Sequence, residues 1–363
     1  MALLFMDGFD HYDRHSLITL GNRLKWSSST LGLKIYATQD EGRYGPGALK
    51  IEGTGGGGWI IRTVEGLASD ELIVGFSFMS TGSRTTHVYL HHDKGTTETA
   101  PRLALNGVQG GTGSIGVFTP GGATCAAPNV LPDDTWVFVE FRVKLGTSDG
   151  EIEVKIDGVV VCSETNVNTL GTARVLIGVR IEATANAQLD WIDDLYLLDT
   201  TGSDNNTFLH NGVLTPRITV LRPKANGSIN TFTNGDPLSA AANWETVDDT
   251  LANEDDDFIT SSVIGASEAY TMQTFADVSI TSGTIHGIQV SNCVHNLGPS
   301  TLYLLNEMVI AGTRYDSGNK VSTTIDDYKA YSYIRGTDPS DSAAWTEAKV
   351  EAVGSAFSIV NPP

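Results

Sequence analysis

Between Trp136 and Val161 hydrophobic and polar side chains alternate with a period of two. Val137, Val139, Phe141 and Val143 share one face, and after a break at Gly146–Gly150 so do Ile152, Val154 and Ile156. Such alternation marks half-buried strands, and Gly- and Asp-rich breaks mark the turns between them. Asp157-Gly158 supplies a second tight turn into Val159, Val160 and Val161, so the pattern predicts a three-stranded antiparallel meander.

The same signal recurs along the chain. Strand-like stretches fall at 3–6, 48–52, 59–64, 71–79, 87–92, 102–105, 114–118, 173–181 and 187–199, and again at 217–221, 287–292, 301–309 and 328–334. One helix is expected: Asp338-Pro339-Ser340-Asp341 offers a cap, Trp345, Ala348 and Ala352 share a face, and Gly354 stops it. Thr200–Asn206 is polar without periodicity and reads as linker. Asn226–Asn253 reads as a surface excursion anchored by Trp244.

A chain of 363 residues suits two domains, and its 39 glycines with only 18% charged residues suit β-sandwiches with many turns. The net charge of −20 argues against a nucleic-acid partner, which needs a basic face. Eighteen apolar residues nowhere run together, so no membrane insertion is expected. Cys125, Cys162 and Cys293 are odd in number and lack a motif spacing, so neither a disulfide framework nor a zinc site is expected. With no secretory apolar region at the start, this places the chain in a reducing cytoplasm or on an export route without a signal peptide.

A tryptophan opening one strand, a loop, a second strand, Ile-Asp-Gly and a further apolar strand resemble the laminin-G-like domains of the concanavalin A-like lectin/glucanase superfamily. The resemblance implies an all-β jelly roll over residues 1–200, its first and last strands paired. A linker at 201–212 and a smaller β-sandwich with one short helix at 213–363 would follow. MDGFDHYD at the start, GRYGPGALKIEG at Gly42–Gly53, WIDDLYLLDTTGSDNNTFL at Trp191–Leu209 and AAWTEAKVEAVGSAFSIV near the end are similar to a family of tailed-bacteriophage virion structural proteins. That resemblance implies a non-enzymatic protein on the particle surface, tail-associated or a head decoration or spike, assembled in the host cytoplasm. Its partners would be other capsid or tail proteins and copies of itself, with host surface glycan bound by the first domain. A carbohydrate-binding module or glycan-degrading enzyme of the superfamily is the alternative.

Candidate chemistry follows from these readings. The glucanase branch needs Glu-x-Asp-x-x-Glu on one strand; Glu151-Ile-Glu153-Val-Lys155-Ile-Asp157 is nearest and lacks the second acid, so no catalytic residue is assigned. Asp7, Asp10, Asp193 and Asp194 would converge if the terminal strands pair, as Ca²⁺ ligands or as acceptors bracing a turn. Ca²⁺ is the one cofactor these residues suggest. Tyr44, Trp59, Tyr89, His91 and Asp93 are the candidates for stacking on sugar rings and bonding hydroxyls. Tyr331, Tyr333 and Trp345 are the candidates for contact with the particle or another copy. The acidic run through Asp248–Asp257 and the set His87, His91 and His92 read as solvated surface.

Overall fold

The computed structural model describes residues 3–12, 26, 28–29, 34–38, 40–52, 58–64, 67–82, 85–92, 101–171, 175–183, 189–235, 241–248, 258–298, 301–318, 321–323 and 328–360. The chain divides into two compact units after Ile218, and both are built almost wholly of antiparallel strands. Residues 201–212 belong to the first unit.

The first unit contains β1 (Leu3–Asp7), β2 (Ser28–Ser29), β3 (Lys34–Thr38), β4 (Ala48–Glu52), β5 (Gly58–Thr63), β6 (Glu71–Ser80), β7 (Thr85–His92) and β8 (Arg102–Asn106). It continues with β9 (Thr112–Thr119), β10 (Gly122–Pro132), β11 (Val137–Lys144), β12 (Gly150–Ile156), β13 (Val159–Val167), β14 (Leu176–Ala183) and β15 (Leu189–Asp199). Sheet I has the order β13-β12-β11-β6-β15-β4-β3 with β1 added on β15; sheet II has the order β10-β9-β8-β7-β14-β5-β2.

The meander forms as the alternation predicts. Val139 faces Ile156, Phe141 faces Val154 and Val143 faces Ile152 across β11 and β12. These side chains, with Leu72, Val74, Phe76 and Phe78 of β6, make the inner face of sheet I. Val88, Leu90, Leu103, Leu105, Ile115, Val117, Val179 and Ile181 make the inner face of sheet II, all fully or almost fully buried. At about 1.5–3 kcal/mol for each large apolar side chain removed from water, this two-layer core is what holds the unit together. β1 pairs with β15, so the first and last strands of the sandwich lie side by side.

Two expectations change in this unit. Cys125 on β10 and Cys162 on β13 form a disulfide with their Cα atoms 6.1 Å apart. Each strand is the outermost of its own sheet, and only the stacking of the two sheets brings the thiols together, which no sequence spacing discloses. Arg217–Leu221 is not a strand. Its backbone is used otherwise: the Ile218 amide donates to Asp194 Oδ1 at 2.7 Å.

The second unit carries β16 (Pro223–Asn230), β17 (Thr233–Asn234), β18 (Ile259–Thr260), β19 (Ser267–Met272), β20 (Ile288–His295), β21 (Leu302–Ile310), β22 (Thr313–Asp316), β23 (Val321–Thr323), β24 (Tyr328–Arg335), helix α1 (Glu347–Glu351) and β25 (Val353–Val360). β16-β19-β25-β21-β22 form one sheet, and the β20–β24 pair packs its Val290 and Tyr333 with Met308, Ile310 and Val353 of that sheet.

The helix is shorter than expected. Thr346 caps it by accepting from the Lys349 amide, and Gly354 lies in β25. Asp338 instead accepts from Ser340 and pairs with Lys349 at 3.0 Å. Trp345 precedes the helix, buried with Tyr333 in the core, its indole donating to the Arg335 carbonyl. Neither ring is therefore a surface anchor, and Tyr331 is partly buried against Phe232, Leu304 and Ile359. The excursion at 226–253 is fastened by Asn243 rather than Trp244: the Asn243 amide donates to Glu268 and to the Phe232 carbonyl, each at 3.0 Å.

Candidate functional site

The face of sheet II turned away from the core is built by the odd half of its alternation. β7 contributes His87, Tyr89 and His91, and the register sets Tyr89 between Arg102 of β8 and Arg180 of β14. Phe118 of β9 lies opposite Arg102, and Trp59 of β5 lies opposite Glu182.

Aromatic rings and guanidinium groups alternate across these five strands. Arg180 stands 4.9 Å from the Trp59 ring and 5.7 Å from the Tyr89 ring. Arg102 stands 6.0 Å from Tyr89 and 4.9 Å from Phe118. Each contact is within the range where the negative face of a ring attracts a cation. Flanked in this way, Tyr89 is 4% exposed. In the neighbouring row Gly116 and Ala104 leave a low floor beside His87, whose ring meets Tyr89 edge-on at 5.9 Å.

The cations of this strip are incompletely compensated. Arg180 Nη2 donates to Glu182 at 2.6 Å. Among the described residues Arg102 has no carboxylate partner, its one side-chain hydrogen bond being to the Tyr89 phenol, and the buried Nε atoms of both arginines have no hydrogen-bond partner. Burial holds the Tyr89 phenol above its ordinary value, Glu182 adding to this and the two arginines opposing it. Burial, then Arg102, holds His87 below the ordinary imidazole range, so it is neutral at pH 7 and both donates and accepts.

Trp59, Tyr89 and His91 thus share the strip, and Asp93 lies outside the described residues. Tyr44 does not join them. It is 47% exposed and packs with Arg43 and Arg217, in a cluster with Phe138 on the outward face of sheet I, across the sandwich. The residues missed in the sequence are Arg102, Arg180, Glu182 and Phe118. Their one local signal is that each occupies an outward position of an alternating strand.

Asp7, Asp10, Asp193 and Asp194 are all buried. Asp7 accepts from the Phe9 amide, the Tyr12 hydroxyl and the Trp26 indole, and Asp10 accepts from the Gly47 amide. Asp193 accepts from the Arg43 and Asp194 amides; Asp194 accepts from Ser77 Oγ and the Ile218 amide, with Arg43 at 3.9 Å. Asp194 sits at φ +50° in the irregular stretch of β15, a conformation that short Asp side chains tolerate. Burial pushes its carboxyl up to about 6 and raises that of Asp193 as well. Their oxygens are taken up by chain donors, and among the described residues no three His, Cys, Asp or Glu side chains group as a metal site requires. These carboxylates brace chain crossings.

Glu151 and Glu153, nearest to a glucanase pair, stand on sheet I. Glu151 pairs with Arg142 and Lys144, and Glu153 with Lys155 and Arg142.

No family model matches the chain, and no curated protein matches it. Among solved structures it is similar to an endo-β-1,4-glucuronan lyase from the fungus Trichoderma reesei, at 15% identity over 49% of this chain and 92% of that one, TM-score 0.37. It is also similar to a carbohydrate esterase of the Shiga toxin-encoding bacteriophage phi24B, at 13% identity over 48% and 89%, TM-score 0.35. A Bacillus subtilis protein with a galectin-like fold matches at 11% identity over 55% and 96%, TM-score 0.36. Likenesses this distant assign no chemistry.

Proposed function

We propose that this chain is a glycan-binding structural component of a bacteriophage particle, and that the outward face of sheet II is its binding surface. The observation that carries the glycan reading is the strip Trp59–Arg180–Tyr89–Arg102–Phe118, which alternates rings and polar donors across five adjacent strands. Sugars are recognised by this combination: a flat apolar ring face for stacking, with planar donors and acceptors beside it for hydroxyls. The placement on a particle is supported by the similarity of the four quoted segments to phage virion proteins, and in this reading the second unit carries attachment. The role is one of binding, without turnover.

The test of the glycan reading is a polysaccharide array probed with the purified chain. Retention on a defined polysaccharide, weakened by Trp59→Ala, is expected; no retention on any polysaccharide would overturn it. For the particle, an antibody against the chain should decorate intact virions, and finding the protein only free in lysate contradicts that part. Product release from a bound polysaccharide would replace binding with enzymatic action.

A further inference from the structure

The glycan taken by this face, we infer, is anionic: a polymer of carboxylated sugars lying across the strands, its carboxylates held by Arg102 and Arg180. This deepens the glycan reading above and rests on it.

The argument begins with charge. The protein carries −20 overall, yet among the described residues this strip holds two arginines against one carboxylate, Glu182, and His87 beside them is neutral. Cations on an acidic protein are ordinarily matched by the surplus of carboxylates around them. Arg102 is not, among the described residues, and its buried Nε and that of Arg180 are left without acceptors. A buried donor without an acceptor is costly, and a guanidinium presents its donors as a planar fork that a carboxylate satisfies with two parallel bonds. Hydroxyls of a neutral sugar supply acceptors but no charge. A carboxylate supplies both.

Geometry favours a polymer over a single sugar. Arg102 on β8 and Arg180 on β14 flank β7, so they lie two inter-strand steps apart, roughly 9.5 Å. That is close to the length of a disaccharide in an extended chain, where every second sugar presents the same side. Trp59 on β5 and Phe118 on β9 stand four steps apart, roughly 19 Å, and bound the strip with ring faces. The register therefore sets cation, ring, cation, ring along one row from Arg180 to Phe118, and Trp59, in the next row opposite Glu182, adds its ring diagonally against Arg180. A chain of about four sugars that turns the carboxylate of every second one toward the sheet matches it.

The test compares one polymer in two charge states. Titration calorimetry of the full chain is run against polygalacturonate, the same polymer with its carboxyls methyl-esterified, a sulfated polysaccharide and a neutral β-glucan. Polygalacturonate should bind, and esterification should weaken binding roughly tenfold or more, the loss expected for a charge-assisted hydrogen bond. Arg102→Gln and Arg180→Gln should each reproduce much of that loss with an unchanged unfolding midpoint, and Arg102→Lys should restore only part of it. Equal binding of the esterified polymer or the β-glucan overturns the charge assignment and leaves the glycan reading standing. Binding of the sulfated polymer alone overturns the carboxylate assignment. Binding of none overturns both readings.

Discussion

The two outward faces of the first unit treat their polar groups in opposite ways. On sheet I the chain folds back over its own and satisfies most of them, Glu140 Oε2 being left buried without a partner among the described residues. Glu140 and Tyr196 flank Gly75 in one row, and because Gly75 has no side chain the tyrosine ring lies across it and its hydroxyl donates to Glu140 Oε1. The amides of Leu209 and His210 then close over the pair, donating to Tyr196 and Glu140 at 3.3 and 3.0 Å. Arg43, Arg142, Lys144 and Lys155 each have a carboxylate within 4 Å. On sheet II Arg102 has no carboxylate partner among the described residues. The difference teaches that polar groups on the same sandwich serve stability where the chain folds back over them, and that those it leaves unpaired are where the proposed recognition is to be tested.

The comparison can be broken from either side. The largest effect should come from neither face: Cys125→Ser with Cys162→Ser opens a loop of 37 residues, and chemical unfolding should show a loss of about 3–4 kcal/mol. Next comes Tyr196→Phe, which strips a donor from buried Glu140 and an acceptor from the Leu209 amide. It should cost about 2–3 kcal/mol by the same measurement while leaving glycan affinity intact. Loss of binding with this variant would show that the two faces are not independent.

On sheet II, Trp59→Ala should weaken glycan binding about five- to tenfold, as for loss of one aromatic contact, without lowering the unfolding midpoint. Tyr44→Ala, on the other face, should leave binding unchanged, and a matching loss would return Tyr44 to the site.

The smallest effect concerns pH. Burial raises the Glu140 carboxyl, so the folded state holds its proton more tightly than the unfolded one. That contribution to stability is present at low pH and is lost as pH rises through the folded value. Glu140→Gln imitates the protonated form, so its midpoint relative to the parent should improve from pH 5 to pH 8, read by calorimetry at both. A flat difference would mean that Glu140 titrates like an exposed carboxylate.

Much of the first unit was legible because local alternation and tertiary burial agree: β11, β12 and β13 lie where Val137–Val161 place them. The pairing of β1 with β15 is implied only by the family resemblance, since no local pattern links residues so far apart. The strip on sheet II was legible only in part. His87, Tyr89 and His91 announce a shared face by their spacing, but Arg102 and Arg180 become neighbours of Tyr89 only through registers set by core packing. The disulfide escaped for the same reason. Tyr333 and Trp345 read as anchors in the sequence because nothing local to either residue discloses the core that buries it.

The hook of Ile218 on Asp194 has a mechanical consequence. Pulled from its end, a strand is peeled away one hydrogen bond at a time, which needs little force. The segment after β15 does not leave the first unit at Asp199; it returns over sheet I, is held at Tyr196 and Glu140, and is fastened again at Asp194, where the residues of the first unit end. Tension arriving from residue 219 onward therefore meets the Asp194 bond before it reaches the C-terminal end of β15. It is delivered to the middle of an inner strand, flanked by β6 and β4, so several bonds must yield together before any strand begins to unzip.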